Sequence, residues 1–446
     1  MSSTYLSRNQ TGNTYTRTWT LSWWFKRSKL GTVQRMWTSD DDASGNNDDF
    51  FQFQTDDSIQ FGFYASGYYA KMHTNRKFRD TNAWYHCVFA WDSTQTTASD
   101  RIKVYINGVQ ETSWLASDYP SQNSNSFIGG WSSNLYPIEC GRRGLDNTQH
   151  FDGSMSHCHF TDGTAYDASA FGETDATTGE WKIKTSPSVT YGTNGFFILK
   201  DGNSVTDQSP NSNNFTAYGT LTKSEDCPDN VFATMNSLDN GWFSGSFSNG
   251  NNTVVSNASK ENYWTSTLGA SSGKYYWEIK VAASGSDKDF IGIADKISEN
   301  NDFSPYSGNN KMRSYYGSNG ESKNGSTGTA FGASYGAGNI IGVAMDLDNH
   351  KLYFSKDGVW QNSGNPESGS TGTGAIAIDT SPSSGFYYAQ AANIHNTSST
   401  FQANFGNGYF GTTQITSEGT NASGIGKFEF DVPTGYTALS TKGLNL

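Results

Sequence analysis

Twice in this chain of 446 residues a short alternating apolar run stops at a dipeptide suited to a tight hairpin. The run from Arg101 to Ile106 puts Ile102, Val104 and Ile106 on one face and ends in Asn107-Gly108; the run from Lys351 to Ser355 is closed by Asp357-Gly358. Both central residues of a type I′ turn need positive φ, which Asn, Asp and Gly tolerate best. A chain that reverses this way pairs antiparallel strands, and its other runs agree. Trp19 to Phe25, Phe50 to Gln54, Ile59 to Phe63, Trp84 to Trp91 and Gly153 to Phe160 read as strands in the first half. In the second half the strands are Tyr275 to Val281, Phe290 to Ala294, Ile340 to Asp346, Lys351 to Ser355, Phe386 to Tyr388, Phe401 to Phe405 and Phe428 to Phe430. Within Tyr275 to Val281, Tyr275, Trp277, Ile279 and Val281 share one face, leaving Tyr276, Glu278 and Lys280 on the other.

The composition supports this class. Thirteen Trp, 24 Tyr and 28 Phe carry too much burial energy for a disordered chain, and Leu, Lys, Glu and Ala are too sparse for a helical bundle. No repeat of 20–50 residues points to a solenoid or propeller. We therefore expect an all-β protein of two antiparallel β-sandwich (jelly-roll) domains, residues 1–200 and 241–446, joined by an ordered connector over 201–240. Phe196 to Leu199 is expected to add a strand to the first sandwich, and the Gly/Ser/Asn stretch from Ser314 to Gly338 to be an exposed loop of the second.

A formal charge of −12 with intermixed signs argues against nucleic acid as a partner. No apolar stretch approaches the roughly 18–20 residues that cross a bilayer, so no membrane insertion is expected. The opening residues lack a basic region followed by an apolar core, and we read no signal peptide, hence a protein made in a cytoplasm and not exported by the usual route. Cys87, Cys140, Cys158 and Cys227 contain no C-x-x-C pair and read as free, mostly buried thiols. A zinc site from His157, Cys158, His159, His86 and Cys87 is disfavoured, because in a strand Cys158 faces away from both neighbouring histidines.

These residues resemble known families over most of the chain. Trp19 to Phe25, Trp84 to Trp91, Val104 to Val109 and Phe151 to Gly163 are similar to a concanavalin-A-like, laminin-G-like jelly roll. Gly273 to Glu278, Ile291 to Ala294, Ile341 to Asp346, Leu352 to Gly358 and Asn404 to Gly406 resemble a SPRY domain. Asp162 to Tyr166, Phe171 to Asp175, Gly179 to Lys182, Tyr191 to Phe197, Asp226 to Thr234 and Val432 to Tyr436 look like a module of virion proteins from marine bacteriophages. The resemblance implies a virion structural protein (tail fibre, fibre tip or capsid-surface appendage), assembled in the host cytoplasm and displayed on the virion surface. Its implied partners are other virion proteins and a host-surface glycan. Such appendages use symmetry to amplify weak contacts, so a homo-oligomer, first a homotrimer, is expected.

Chemistry in the sequence points to binding rather than catalysis. Retaining glycoside hydrolysis needs two carboxylates about 5 Å apart, yet Glu278 stands alone on its aromatic strand, and no nucleophile elbow, zincin motif or P-loop is present. Asp40, Asp41, Asp42, Asp48 and Asp49, with two asparagines, gather hard oxygen ligands suited to calcium in one run, although without EF-hand spacing; a solvated acidic loop is the plainer reading. Calcium is the only cofactor the sequence suggests. Sugars stack on aromatic faces while amides and hydroxyls take their hydroxyl groups. The candidates placed on glycine-bounded loops are Tyr68, Tyr69, Trp114, Trp131, Tyr306, Tyr315 and Tyr316. Host-glycan attachment is the reading, against a capsid-decoration or tail-adaptor role in assembly alone and, thirdly, a polysaccharide depolymerase.

Overall fold

The computed structural model describes residues 4–12, 16–41, 44–131, 135–184, 186–200, 205–239, 245–258, 262–286, 288–295, 312–325, 327–394 and 397–445. The chain forms two compact units, residues 1–223 with 227–229, and residues 224–226 with 230–446. Both are built almost wholly from antiparallel strands.

In the first unit the strands are β1 (Tyr5–Arg8), β2 (Thr18–Arg27), β3 (Gln34–Asp40), β4 (Asn47–Phe53), β5 (Ile59–Ala65), β6 (Tyr68–Thr74), β7 (Trp84–Asp92) and β8 (Ile102–Ile106). They are followed by β9 (Val109–Gln110), β10 (Trp114–Asp118), β11 (Ile138–Cys140), β12 (Gly153–Asp162), β13 (Gly172–Thr174), β14 (Trp181–Ile183), β15 (Phe196–Ile198) and β16 (Thr216–Tyr218). One sheet has the order β10-β6-β5-β4-β3-β11-β1-β16 and the other β15-β12-β2-β7-β8-β9. Their inner faces supply one core. Trp19, Trp23 and Phe25 of β2 and Phe89 and Trp91 of β7 meet Phe51 of β4 and Phe61 and Phe63 of β5, all fully buried. The Phe51 and Phe89 rings lie 4.7 Å apart, as do Phe63 and Trp91.

The turn signals hold. Asn107 and Gly108 have φ of 48° and 80°, and Asp357 and Gly358 of 49° and 79°. Gly108 has a second reason to be glycine, since a Cβ there would lie 2.4 Å from the Trp181 ring. Phe196 does start a strand that pairs with β12. The stretch 201–240 is shared between the units: β16 pairs with β1 in the first, while Phe232 and Met235 enter the core of the second.

The second unit contains β17 (Ser246–Ser248), β18 (Thr253–Val255), β19 (Asn262–Ala270), β20 (Lys274–Ala283), β21 (Asp289–Ala294), β22 (Arg313–Tyr316), β23 (Glu321–Asn324) and β24 (Thr327–Ala330). Then come β25 (Ile340–Asp346), β26 (Lys351–Lys356), β27 (Val359–Trp360), β28 (Ile376–Ala377), β29 (Tyr387–Asn393) and β30 (Thr400–Asn404). The main path of one sheet runs β17-β18-β30-β20-β25-β26-β27, and the other sheet runs β19-β29-β21-β22-β23-β24.

Two sequence expectations fail here. Ser314 to Gly338 is not an exposed loop: β22 to β24 extend the second sheet, and Tyr315, Phe331 and Tyr335 fill the core, so the small residues connect strands. Phe428 to Phe430 is not a strand, because its backbone is drawn onto a buried carboxylate. Glu278 on β20 accepts the Glu429 and Phe430 N–H groups (both 2.9 Å), the Asn404 amide (3.1 Å) and the Tyr276 hydroxyl (3.1 Å). Alternation alone places Glu278 on an open face; the chain's own C-terminal segment covers that face.

Burial raises the Glu278 pKa to about 7, against the opposing pull of these donors. Replacing it with alanine strands two buried backbone donors and an amide. We expect Glu278→Ala to cost about 3 kcal/mol or more, measured by urea unfolding, whereas a change within about 0.5 kcal/mol would show the carboxylate does not anchor the segment.

Candidate functional site

A pleated strand sends neighbouring side chains to opposite faces, and this separates the adjacent tyrosines of β6. Tyr69 points inward. Its hydroxyl donates to Asp49 (2.6 Å) and its ring packs edge-on against Trp91 and Trp131. Tyr68 points outward and keeps 52% of its surface exposed, the most open of the described aromatic candidates.

The outer face of the first sheet around Tyr68 follows from register. Asp48, Tyr64 and Tyr68 form one row across β4, β5 and β6; Phe50, Gly62 and Lys71 form the next; Gln52, Gln60 and His73 the third. Phe50 lies flat over Gly62, where a Cβ would sit 2.3 Å from its ring. Arg35 makes a bidentate pair with Asp48 (2.7 Å to each oxygen) and stacks its guanidinium 4.4 Å from the Phe50 centroid. Tyr64 meets Tyr68 edge-on at 5.4 Å, Lys71 Nζ stands 5.3 Å from the Tyr68 centroid, and the Gln60 amide donates to the Tyr68 hydroxyl at 3.1 Å. The result is an exposed aromatic ring fixed on several sides, beside an amine, amides and an imidazole. Sequence reasoning singled out Tyr68 and missed Tyr64, Lys71, Gln60 and His73. The missed signal is the alternation of Ile59 to Phe63 itself: if Phe61 and Phe63 face the core, Gln60 and Tyr64 face out.

The other candidates separate. Trp114 is half-buried at β10 against the core, and Trp131 stacks on Phe127 at 4.7 Å. The loop placement fails for Tyr68 and Tyr69 on β6, Trp114 on β10, and Tyr315 and Tyr316 on β22, all strand residues. Tyr315 is fully buried against Phe331, Tyr335 and Phe354, with its hydroxyl bonded to the Ala333 carbonyl, and Tyr316 stacks on Phe290 at 4.4 Å. Tyr306 lies outside the described residues.

The acidic run is also corrected. Its ends belong to β3 and β4, where Asp40 and Asp48 stand opposite each other and share Arg35 and Thr38, while Asp49 turns to the other face. Asp40 accepts the Gly144 N–H (3.0 Å), Asp41 caps its own turn through Ser44 and Gly45, and Asp48 is held by Arg35. Asp49 accepts the Phe127 (2.5 Å) and Ile128 (3.1 Å) N–H groups as well as Tyr69. Asp42 lies outside the described residues. Among the described residues no three metal-ligating side chains converge.

Three serine–histidine pairs occur among the described residues: Ser156 with its chain neighbour His157 (2.8 Å), Ser22 with His86 and Ser58 with His73; the last two test for nucleophilic chemistry between distant residues, which requires the imidazole to accept the serine proton. At Ser22 and His86 (2.8 Å) the polarity is reversed: the Trp181 indole N–H donates to His86 Nδ1 (2.9 Å), so Nε2 carries the proton and donates to Ser22. Burial lowers this histidine's pKa to about 3. At Ser58 the hydroxyl proton goes to Asp56 (2.5 Å), leaving His73 Nε2 to donate (2.7 Å). Neither Ser22 nor Ser58 is activated. Cys87, Cys140 and Cys158 are free and buried, and Cys227 is partly exposed. Burial pushes the first three thiols up, the opposite of a reactive cysteine.

Residues 1–165 match the family model of the concanavalin A-like lectin/glucanases superfamily, and residues 274–368 match that of the SPRY domain. No curated protein matches the chain. Among solved structures, the SPRY domain of human HERC1 is 14% identical, covering 38% of this chain and 96% of its own, with a TM-score of 0.30. The CBM40 of a Ruminococcus gnavus IT-sialidase bound to α2,3-sialyllactose is 14% identical over 32% of this chain and 76% of its own, with a TM-score of 0.25. The SAP-like pentraxin of Limulus polyphemus is 14% identical over 36% and 77%, also at 0.25.

Tyr315→Ala should lower stability by about 3–5 kcal/mol, as deletion of a buried aromatic does, while Tyr68→Ala changes it by less than about 1 kcal/mol; chemical denaturation of both variants checks this, and equal losses would contradict the assignment of faces. Asp49 supplies a pH test. Burial raises its pKa from 3.8 to about 8, so its contribution to stability is full below about pH 4 and is lost as pH rises through about 8. Melting temperatures of Asp49→Asn between about pH 5 and 8 should fall less steeply than those of the parent.

Proposed function

We propose that this protein is a non-enzymatic saccharide-binding protein that uses the outer face of the β4–β6 sheet, with Tyr68 as its stacking platform. One observation carries the reading: an exposed tyrosine ring is fixed by Tyr64, Lys71 and Gln60 on a face that also carries Gln52, His73, Phe50 and the Arg35–Asp48 pair. A sugar's C–H face stacks on such a ring while Lys71 and His73 meet its hydroxyl groups. Catalysis is not part of the proposal, since Ser22 and Ser58 are bonded with the wrong polarity and both Glu278 oxygens are engaged within the protein.

The sequence resemblance to phage virion modules supports a more specific role. The protein is a surface component of a bacteriophage particle, assembled in the host cytoplasm with other virion proteins, and it holds a host-surface glycan. A trimer would multiply a weak single-site affinity without adding contacts.

A glycan array tests the reading. Parent protein should retain one class of glycan, and Tyr68→Ala should bind that class at least tenfold more weakly while melting at a similar temperature. No retained glycan would favour an assembly role alone; new reducing ends after incubation with polysaccharide would favour a depolymerase.

A further inference from the structure

At the far edge of the same sheet, β16 joins β1 with Tyr5 opposite Tyr218 and Ser7 opposite Thr216. The loop before β16 and the end of β1 border an open cleft of about 330 Å³. Arg8, Asn9 and Thr11 line it with Ser212, Asn213 and Asn214, and Tyr218 completes the wall with 45% of its surface exposed. None of these groups belongs to the Tyr68 face.

The cleft is built rather than incidental. Asp207 accepts the N–H groups of Phe197 (2.7 Å), Ser209 (2.8 Å) and Asn213 (2.7 Å) and the Ser209 hydroxyl (2.7 Å), while its own N–H donates to Asn214 Oδ1 (2.8 Å). Asn213 donates to the Thr193 (2.9 Å) and Gly195 (2.8 Å) carbonyls and accepts from Arg8 Nη2 at 2.6 Å. Ser212 is held at φ of 59°, a left-handed conformation that costs a non-glycine residue energy. Tyr218 is fixed as well. Its ring stacks on Tyr5 at 4.6 Å and 6°, and the Arg142 guanidinium lies 3.7 Å from the Tyr5 centroid. This three-layer stack leaves the other face of Tyr218 for a ligand.

The chemistry selects the ligand. None of the described lining residues is acidic or aliphatic, which disfavours cations and apolar side chains. The one charge, Arg8, is buried and spends its guanidinium on the Asn213 side chain (2.6 Å) and the Asn194 carbonyl (3.3 Å), which weakens the hold it would have on a phosphate or carboxylate. What remains is a set of amides and hydroxyls beside an aromatic plane. We propose that the β1–β16 cleft is a second binding site, for a neutral saccharide stacked on Tyr218 and hydrogen-bonded by Asn9, Asn214 and Ser212. It goes beyond the Tyr68 reading, since β6 and β16 are six strand positions apart in the sheet, roughly 30 Å at ordinary strand spacing.

Titration calorimetry with cellotriose, maltotriose, mannotriose and tri-N-acetylchitotriose tests it, with trigalacturonate as the acidic probe. At least one neutral probe should bind, Tyr218→Ala should weaken one site at least tenfold, and Tyr218→Phe should keep most of the affinity. Melting temperatures of the variants exclude unfolding. If Tyr218→Ala loses a site and Tyr68→Ala loses none, the cleft stands and the Tyr68 reading falls. Unchanged binding in Tyr218→Ala, no binding of any neutral probe, or tighter binding of trigalacturonate than of every neutral probe would each overturn the proposal.

Discussion

The aromatic layer between the two sheets of the first unit is the constraint on which its surface chemistry depends. Trp19 packs within 5.5–6.5 Å of Phe89, Trp91, Phe160 and Phe51, and Phe51 and Phe63 pack in turn against Phe89 and Trp91. Rings of this size interlock in one register. A slip of one residue in β6 would move Tyr69 out and Tyr68 in, breaking the Asp49 contact and burying the platform. The core therefore decides which tyrosine can meet a ligand.

Buried carboxylates do the complementary work of holding loops. Asp49 gathers the N–H groups of Phe127 and Ile128, Asp40 those of Gly144 and Leu145, and Asp207 those of Phe197, Ser209 and Asn213; Glu278 does the same for Glu429 and Phe430 in the second unit. Each replaces water for donors that cannot pair in a sheet, where an unmet group would cost about 1–3 kcal/mol. Part of the acidic excess of this chain is thus internal scaffolding and not a surface field. Asp40 and Asp49, two of the five aspartates of the acidic run, are used in this way.

Strands that alternate were legible from residues alone. Trp84 to Trp91 and Tyr275 to Val281 lie where their patterns place them, and the two Gly-containing turns reverse the chain with the expected positive φ. Legibility failed where a segment's meaning came from distant residues. Tyr315 lies in a stretch whose glycine and serine content suggests a loop, yet its burial is set by Phe331, Tyr335 and Phe354. Glu278 faces a surface that residues 428–430 cover from far along the chain. Tyr218 went unnoticed because a three-residue strand in a polar connector has almost no periodicity; only its pairing with Tyr5 makes it visible. For Tyr68, local sequence identified the residue but not the face it shares with Lys71 and Gln60.

Hydroxyl-radical footprinting with mass-spectrometric readout tests the division between core and platform most directly. The account predicts strong labelling of Tyr68, little of Tyr69 or Tyr315, and loss of the Tyr68 signal when a glycan retained on the array is added. Labelling of Tyr69 or Tyr315 equal to that of Tyr68, or a Tyr68 signal that bound glycan leaves unchanged, would contradict it.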